Sequence, residues 1–389
     1  MDPRAPRTET LRALAAAVLF PFLLSRALLL AVAWFGRQFA PSWTYFDPAG
    51  ATRGWSRVPA LALDVWGRYD TVWYLDIAAR GYLAPAVLLR EQSTLAFFPL
   101  YPWLVRGLHT LLPAAWQGDA ARYLAALALS NALALCALGA VYALVRAAYG
   151  DEARARRAVL YLVLFPGSFF LSCAYSESLF LFLAAAALLA GFRGRWGLAG
   201  ACALLLGLTR PAGVLVAPAL AVLYLEQRAF DLRRVRWDAL ALVAAPASLL
   251  AHAAHLALLT GDPWALLHAQ AAWGRALSLP WATLLSPAHF HPVMGPLELA
   301  ATLLFLALSL ALLLERQRAF AAFTFLSLVP ILASGTLMSA VRLLAVAFPA
   351  FAALARAGRS DIADRTIVIA SAVFQALLFL AWSRFYWVA

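Results

Sequence analysis

Apolar runs close to 20 residues long recur from one end of this 389-residue chain to the other. Nothing else about it restricts the fold as much. About 20 apolar residues, wound as a helix, cross the ~30 Å hydrocarbon core of a bilayer. Within that core each backbone N–H and C=O needs a partner in the protein, and a helix supplies it locally. The expected fold class is therefore all-α and polytopic. Composition agrees: 64% of residues are hydrophobic and 13% charged, against about 25% charged in a soluble domain. No polar stretch is long enough to build a core of its own, so residues 1–389 are expected to form one integral membrane domain.

Hydropathy predicts about eleven transmembrane helices. The first runs from Leu11 to Phe35, too long for a signal-peptide core and without a convincing cleavage site. The others fall near 122–147, 157–173, 177–192, 197–209, 211–225, 238–259, 295–314, 319–333, 343–357 and 366–385. The pair 197–209 and 211–225 is short and broken at Arg210-Pro211, where proline removes a backbone donor. The piece 97–112, interrupted by Pro99, Pro102 and Arg106, reads as an interfacial or re-entrant helix.

Charge orients these spans. The formal net charge is +12, and every basic residue is arginine. Arg4, Arg7 and Arg12 set the N-terminus in the cytoplasm. Arg154, Arg156 and Arg157, then Arg193 and Arg195, then Arg228, Arg233, Arg234 and Arg236 all fall on that side of the count. Arg316, Arg318, Arg356, Arg359 and Arg365 do the same. The opposite, external side receives 36–121, Tyr175 to Ser178, Thr209 to Pro211, 260–294 and 334–342. The positive charge is thus topological and membrane lipids are its partner; no nucleic-acid partner is expected.

The first external segment carries the chemistry. Tyr69-Asp70-Thr71-Val72-Trp73-Tyr74-Leu75-Asp76 sets two carboxylates among aromatics, with Trp66 just before. If Asp70 opens a short helix, Trp73 and Tyr74 lie on its own face at i+3 and i+4. A carboxylate shielded by aromatics at a membrane surface suits a general base acting on a sugar hydroxyl. Asp76 and Arg80 form an i,i+4 pair, for which a structural role competes with substrate contact. Phe97, Phe98 and Tyr101 follow beside Pro99 and Pro102. They read either as an interface belt or as a rigid, shaped turn against a substrate.

Elsewhere on the external side stand Glu177, Arg210 and Arg342. Glu177 opens a span, where the helix dipole favours an acid whatever its role. Arg210 and Arg342 lie between apolar spans and either snorkel to headgroups or hold a lipid phosphate. His252 and His255, i,i+3 within a span, fit interhelical hydrogen bonds. His268, His289 and His291 read as loop residues, and no metal or cofactor is expected. Cys136, Cys173 and Cys202 read as small buried hydrophobes. Glu298 is an acid that lies inside a predicted span, 295–314, rather than in a connecting segment.

Two blocks carry a family likeness. Tyr69-Asp70, then Leu75, Ile77-Ala78 and Gly81-Tyr82, then Ala96-Phe97-Phe98-Pro99 and Pro102 form the first. Phe165-Pro166-Gly167-Ser168-Phe169-Phe170-Leu171 with Ala174-Tyr175-Ser176-Glu177-Ser178-Leu179-Phe180 form the second. Together they resemble the PIG-V family, the GPI-anchor mannosyltransferases that add the second mannose, with their bacterial relatives. Thr209-Arg210-Pro211-Ala212-Gly213 is similar to the family's Arg-Ser-Asn-Gly turn, with Pro211 in place of Ser. The family's usual Trp-Asp is Tyr69-Asp70 here, and Trp73 stands where histidine is common. The resemblance covers most of 60–225, with Arg342 as a further match.

The resemblance implies a GT-C glycosyltransferase fold with an external active site. It implies a polyprenyl-phosphate sugar donor, most often mannose, an inverting single displacement, and Asp70 as catalytic base. Trp66, Tyr69, Trp73, Tyr74, Asp76, Phe97, Phe98, Tyr101, Glu177, Arg210 and Arg342 are then the candidate substrate-binding residues. The acceptor expected for this arginine-only, prokaryote-like chain is a cell-envelope lipid, glycan or glycoprotein rather than a GPI anchor. Two other classes compete: a lipid-linked-sugar flippase, and a non-catalytic subunit of a transferase complex. The concentration of acids on one face favours the enzyme.

Overall fold

The computed structural model describes residues 14–39, 57–82, 92–285 and 294–388. The described residues are helical, joined by turns and short 3₁₀ segments. In chain order the helices are α1 (Phe20–Phe39), α2 (Thr71–Arg80), α3 (Leu100–Thr110), α4 (Asp119–Tyr149), α5 (Glu152–Leu164) and α6 (Glu177–Phe192). They continue with α7 (Trp196–Gly207), α8 (Val216–Glu226), α9 (Ala244–Thr260), α10 (Ala265–Ala271) and α11 (Pro280–Leu285). The last five are α12 (Gly295–Leu314), α13 (Arg318–Leu332), α14 (Ala340–Leu344), α15 (Pro349–Ala357) and α16 (Asp361–Ser383).

Five helical stretches are long and apolar enough to cross a bilayer: Ala15–Phe39, Asp119–Tyr149, Trp237–Thr260, Gly295–Leu314 and Asp361–Ser383. Four apolar helical stretches are shorter: Glu177–Phe192, Trp196–Gly207, Pro211–Glu226 and Arg318–Leu332. The molecule is an integral membrane protein, and its outer faces carry leucine and phenylalanine such as Leu24, Leu28, Leu250 and Phe374. Helices pack closely where side chains are small. Ala125, Ala126, Ala134 and Ala137 of α4 are buried, as are Ala184, Ala185 and Ala187 of α6, its packing partner.

Two expected spans take another form. The stretch 157–173 breaks at Phe165, whose backbone is extended ahead of Pro166. The following 3₁₀ turn Pro166–Ser172 departs from α5 by 83°. The stretch 343–357 is two short helices, α14 and α15, with Pro349 opening the second. Its residues are buried inside the protein: Ala347, Phe348, Ala350 and Ala352 have no exposed surface. Apolar sequence reports exclusion from water, and here protein rather than lipid excludes it. The segment 36–121 is shorter than expected at both ends, since α1 runs to Phe39 and α4 starts at Asp119. Within it α3, eleven residues long, is too short to span. The segment 260–294 contributes α10 and α11. His289 and His291 lie outside the described residues, as do Arg4, Arg7 and Arg12.

The broken pieces share one end of the bundle. Turn Pro166–Ser172, helix α14 and the C-terminal part of α16 pack together there. Gly167 makes the contact possible, because a Cβ at that position would lie 2.3 Å from the Val341 carbonyl oxygen. Gly213 plays the same part for the turn after α7, where a Cβ would lie 2.3 Å from the Leu206 oxygen.

Candidate active site

Asp70 stands just before α2 and does not cap it. Its side chain turns away from the helix because the backbone around it is fixed from elsewhere. Tyr69 adopts a left-handed φ of 43°, which costs a non-glycine residue about 1–2 kcal/mol. Packing offsets that cost. The Tyr69 hydroxyl donates to the Phe385 carbonyl at 2.6 Å, and its ring meets Trp382 and Trp387 at 5.3 and 4.9 Å. The Tyr175 hydroxyl accepts from the Asp70 N–H at 2.9 Å and donates to the Arg68 carbonyl at 3.0 Å. One tyrosine from the second sequence block thus clamps the backbone on both sides of Tyr69.

A polar chain runs from Asp70 through three distant segments and back to Tyr74. Arg342 Nη1 donates to Asp70 Oδ2 at 2.7 Å. Arg342 Nε donates to Glu177 Oε1, and Arg210 pairs with that same oxygen. Arg210 Nε reaches Ser176 Oγ at 2.9 Å, and Ser176 Oγ meets the Tyr74 hydroxyl at 2.9 Å. The Arg342 guanidinium also lies over the Tyr175 ring, 4.4 Å from its centroid. Burial works against the Arg342 charge, but Glu177 and then Asp70 outweigh it, and its pKa rises well above the ordinary value. Asp70, Glu177 and Arg342 are buried.

This chain forms one wall of a cavity of about 170 Å³. Asp70, Tyr74, Arg210 and Arg342 line it, together with Phe97 and Phe98. Asp70 Oδ1 has no hydrogen-bond partner among the described residues, while Oδ2 is held by Arg342. The wall therefore presents an oriented carboxylate with one oxygen unengaged.

The remaining candidates surround this cavity or stand apart from it. Trp73 stacks on Phe97 and meets Trp273 edge-on, both at 6.0 Å between centroids, at the aromatic rim. Glu177 lies one layer behind the wall, fully buried. Trp66 packs on Phe379 and donates to the Ala62 carbonyl at 2.9 Å, within the core. Tyr101 is buried with its hydroxyl on Ser130 Oγ at 2.8 Å. Asp76 accepts from Arg80 Nε at 2.7 Å on the outer face of α2. Among the described residues His252 Nε2 is buried without a hydrogen-bond partner, and its ring packs on Phe98 at 4.5 Å. All three cysteines are free, and Cys136 is exposed on the bundle surface.

Trp273, Arg275 and Trp387 are among the lining residues that sequence reading did not single out. Arg275 makes no ion pair or hydrogen bond among the described residues. Burial, then repulsion from Arg342, lowers its pKa. The wall and its backing layer thus hold two carboxylates, Asp70 and Glu177, against three guanidiniums, Arg210, Arg275 and Arg342. One positive charge is left over, and it is the one facing the cavity without a partner among the described residues. Arg275 is the single arginine of the segment 260–294, and that was a usable signal.

The arrangement of helices has a likeness of fold among solved structures. It superposes on the oligosaccharyltransferase of Archaeoglobus fulgidus tethered to an acceptor peptide with a TM-score of 0.52 and 13% identity. That match covers 94% of this chain and 55% of the other. The apo form of the same protein gives 0.52 and 15%, covering 94% and 56%. The sequence pattern described as Mannosyltransferase (PIG-V) matches residues 56–258, just over half of the chain, and the chain belongs to that family. A GPI mannosyltransferase 2 from Drosophila pseudoobscura pseudoobscura is 35% identical over 120 residues, 29% of this chain and 24% of that protein. The aligned stretch therefore spans about a quarter of that relative.

Proposed function

We propose that this protein is an inverting membrane glycosyltransferase that moves a sugar, most simply mannose, from a polyprenyl-phosphate donor to a cell-envelope lipid, glycan or glycoprotein. The observation that carries the reading is the pairing, in one cavity, of an oriented carboxylate with a surplus arginine. Among the described residues Asp70 Oδ1 is unengaged and Arg275 has no counter-ion. A base alone would fit many reactions. A base with a surplus cation fits a nucleophilic hydroxyl and an anionic leaving group.

In this reading Asp70 accepts the proton of the acceptor hydroxyl as its oxygen attacks the anomeric carbon. The bond from that carbon to the phosphate oxygen breaks, and polyprenyl phosphate leaves with the electron pair. The leaving group is already a phosphate, so it needs cationic contacts rather than a proton donor. Arg275 supplies a free guanidinium, whereas Arg210 and Arg342 are already engaged with Glu177. Trp73, Phe97 and Trp273 form the aromatic rim past which a prenyl chain would run into the bilayer. The site faces the external side in this scheme, because the arginine-rich connections lie at the other end of the spans.

The test is transfer by purified protein from polyprenyl-phosphate mannose into an extract of envelope acceptors, with Asp70→Asn alongside. Wild-type transfer that the variant lacks supports the reading. Movement of lipid-linked sugar across reconstituted vesicles without transfer would replace it with the flippase.

A further inference from the structure

The acid that the external segments do not explain, Glu298, sits in the first turn of α12 with 1% of its surface exposed. Its Oε1 accepts the Ser339 backbone N–H at 2.7 Å. Its Oε2 is buried with no partner among the described residues. Ser339 has a left-handed φ of 71° and immediately precedes α14, the five-residue helix that carries Arg342. A non-glycine residue stays in that conformation only where its surroundings hold it. The same loop fixes the other key arginine. Ala276 N–H donates to the Ser334 carbonyl at 3.1 Å and Ser278 N–H to the Ala333 carbonyl at 3.0 Å, on the residues that directly follow Arg275. Gly335, at φ 74°, lets these strands approach, since a Cβ there would lie 3.1 Å from the Ala276 oxygen.

We propose that Glu298 is a positioning residue: by anchoring the Ser339 turn it sets both Arg342 against Asp70 and Arg275 against the cavity. The inference rests on reading those residues as the reacting centre. Glu298 touches no substrate and does not face the cavity. It acts through a loop of seven residues, 333–339, that has the anchor at one end and the backbone pairing to 276–278 at the other. Errors of about 1 Å in such groups cost on the order of 10²-fold in rate. A glutamine would keep the acceptor oxygen and place its amide where Oε2 now stands alone, so it should serve nearly as well.

Three measurements on the full chain in nanodiscs test this. Hydrogen exchange across 334–344 reads the anchor without any substrate: Glu298→Ala should raise it and Glu298→Gln should not. The rate of transfer per folded molecule should fall about 10- to 10²-fold in Glu298→Ala and recover in Glu298→Gln. In an Arg275→Ala, Arg342→Ala background, Glu298→Ala should add little, because both groups it positions are gone. Unchanged exchange in Glu298→Ala overturns the proposal, as does a full rate per folded molecule or a loss that simply adds to that of the double variant. If the wild type transfers nothing from polyprenyl-phosphate mannose while exchange still rises in Glu298→Ala, the donor assignment fails and the anchor stands.

Discussion

Arg342 Nη1 lies 2.7 Å from Asp70 Oδ2 and joins two residues 272 positions apart in the chain. The contact does two things. It fixes which carboxylate oxygen is engaged, leaving Oδ1 toward the cavity. It also ties the segment before α2 to α14, and through Glu177 to the start of α6.

Replacing Asp70 with Asn separates these roles. The amide oxygen still accepts from Arg342, so thermal unfolding should shift little. The amide does not take a proton at neutral pH, and transfer should fall about 10²–10⁴-fold. Asp76→Asn is the control. Asp76 pairs only with the exposed Arg80, an interaction worth about 0.5 kcal/mol or less, so its rate should stay close to wild type.

Arg342 offers two different nitrogens to two buried carboxylates, Nε to Glu177 and Nη1 to Asp70. Lysine presents one point charge and does not span both. Arg342→Ala should destabilise the protein by about 3–5 kcal/mol, because it strips partners from buried acids. Arg342→Lys should unfold at an intermediate temperature and transfer sugar poorly. Equal unfolding temperatures for wild type and Arg342→Ala would show that this pairing does not hold the site together.

Arg275 behaves in the opposite way because no described residue is bound to it. Arg275→Ala should leave thermal stability nearly unchanged. A hydrogen bond to a charged group contributes about 1.5–3 kcal/mol, so the variant should bind polyprenyl phosphate about 10- to 150-fold more weakly. Quenching of the adjacent Trp273 by added polyprenyl phosphate measures this. The same titration with inorganic phosphate separates the headgroup contribution from that of the prenyl chain.

Gly167→Ala tests the packing that brings α14 to the site. The new Cβ would sit 2.3 Å from the Val341 oxygen and 3.1 Å from Arg342 Cα. Both contacts are backbone, so one segment must move, at a cost of about 1–3 kcal/mol. The unfolding temperature should fall, and the remaining folded protein should transfer sugar more slowly, since the displaced residue is Arg342 itself.

The side on which the site lies follows from labelling. Gln92 is exposed beside the candidate site, and Arg195 is exposed in an arginine-bearing connection. In a background without Cys136, Cys173 and Cys202, Gln92→Cys should react with an impermeant thiol reagent on intact cells. Arg195→Cys should react only after permeabilisation. The reverse pattern would put the site in the cytoplasm.

How much of this was legible in the sequence differs from one residue to the next, for physical reasons. Asp70, Tyr74, Phe97 and Phe98 stand close together along the chain, so a local motif exposes them, and they do meet in one cavity. Arg210 and Arg342 were legible as costly charges between apolar runs. Their joint grip on Glu177 was not, because three segments more than 30 residues apart converge there. Arg275 and Trp387 carry no motif, and only the folding of 260–294 and of the C-terminal segment onto the first block brings them in. The helical, membrane-embedded class was plain from the apolar runs. The form of 157–173 and 343–357 was not, since hydropathy alone does not separate a helix facing lipid from a broken one buried in protein.

Donor choice joins the base, the surplus arginine and the aromatic rim in one readout. Purified wild-type protein is offered polyprenyl-phosphate mannose or GDP-mannose with the same acceptor extract, and Asp70→Asn is run in parallel. Transfer is expected from the polyprenyl donor alone, with its loss in the variant. Transfer from GDP-mannose alone, or equal rates for Asp70→Asn and wild type, would contradict it.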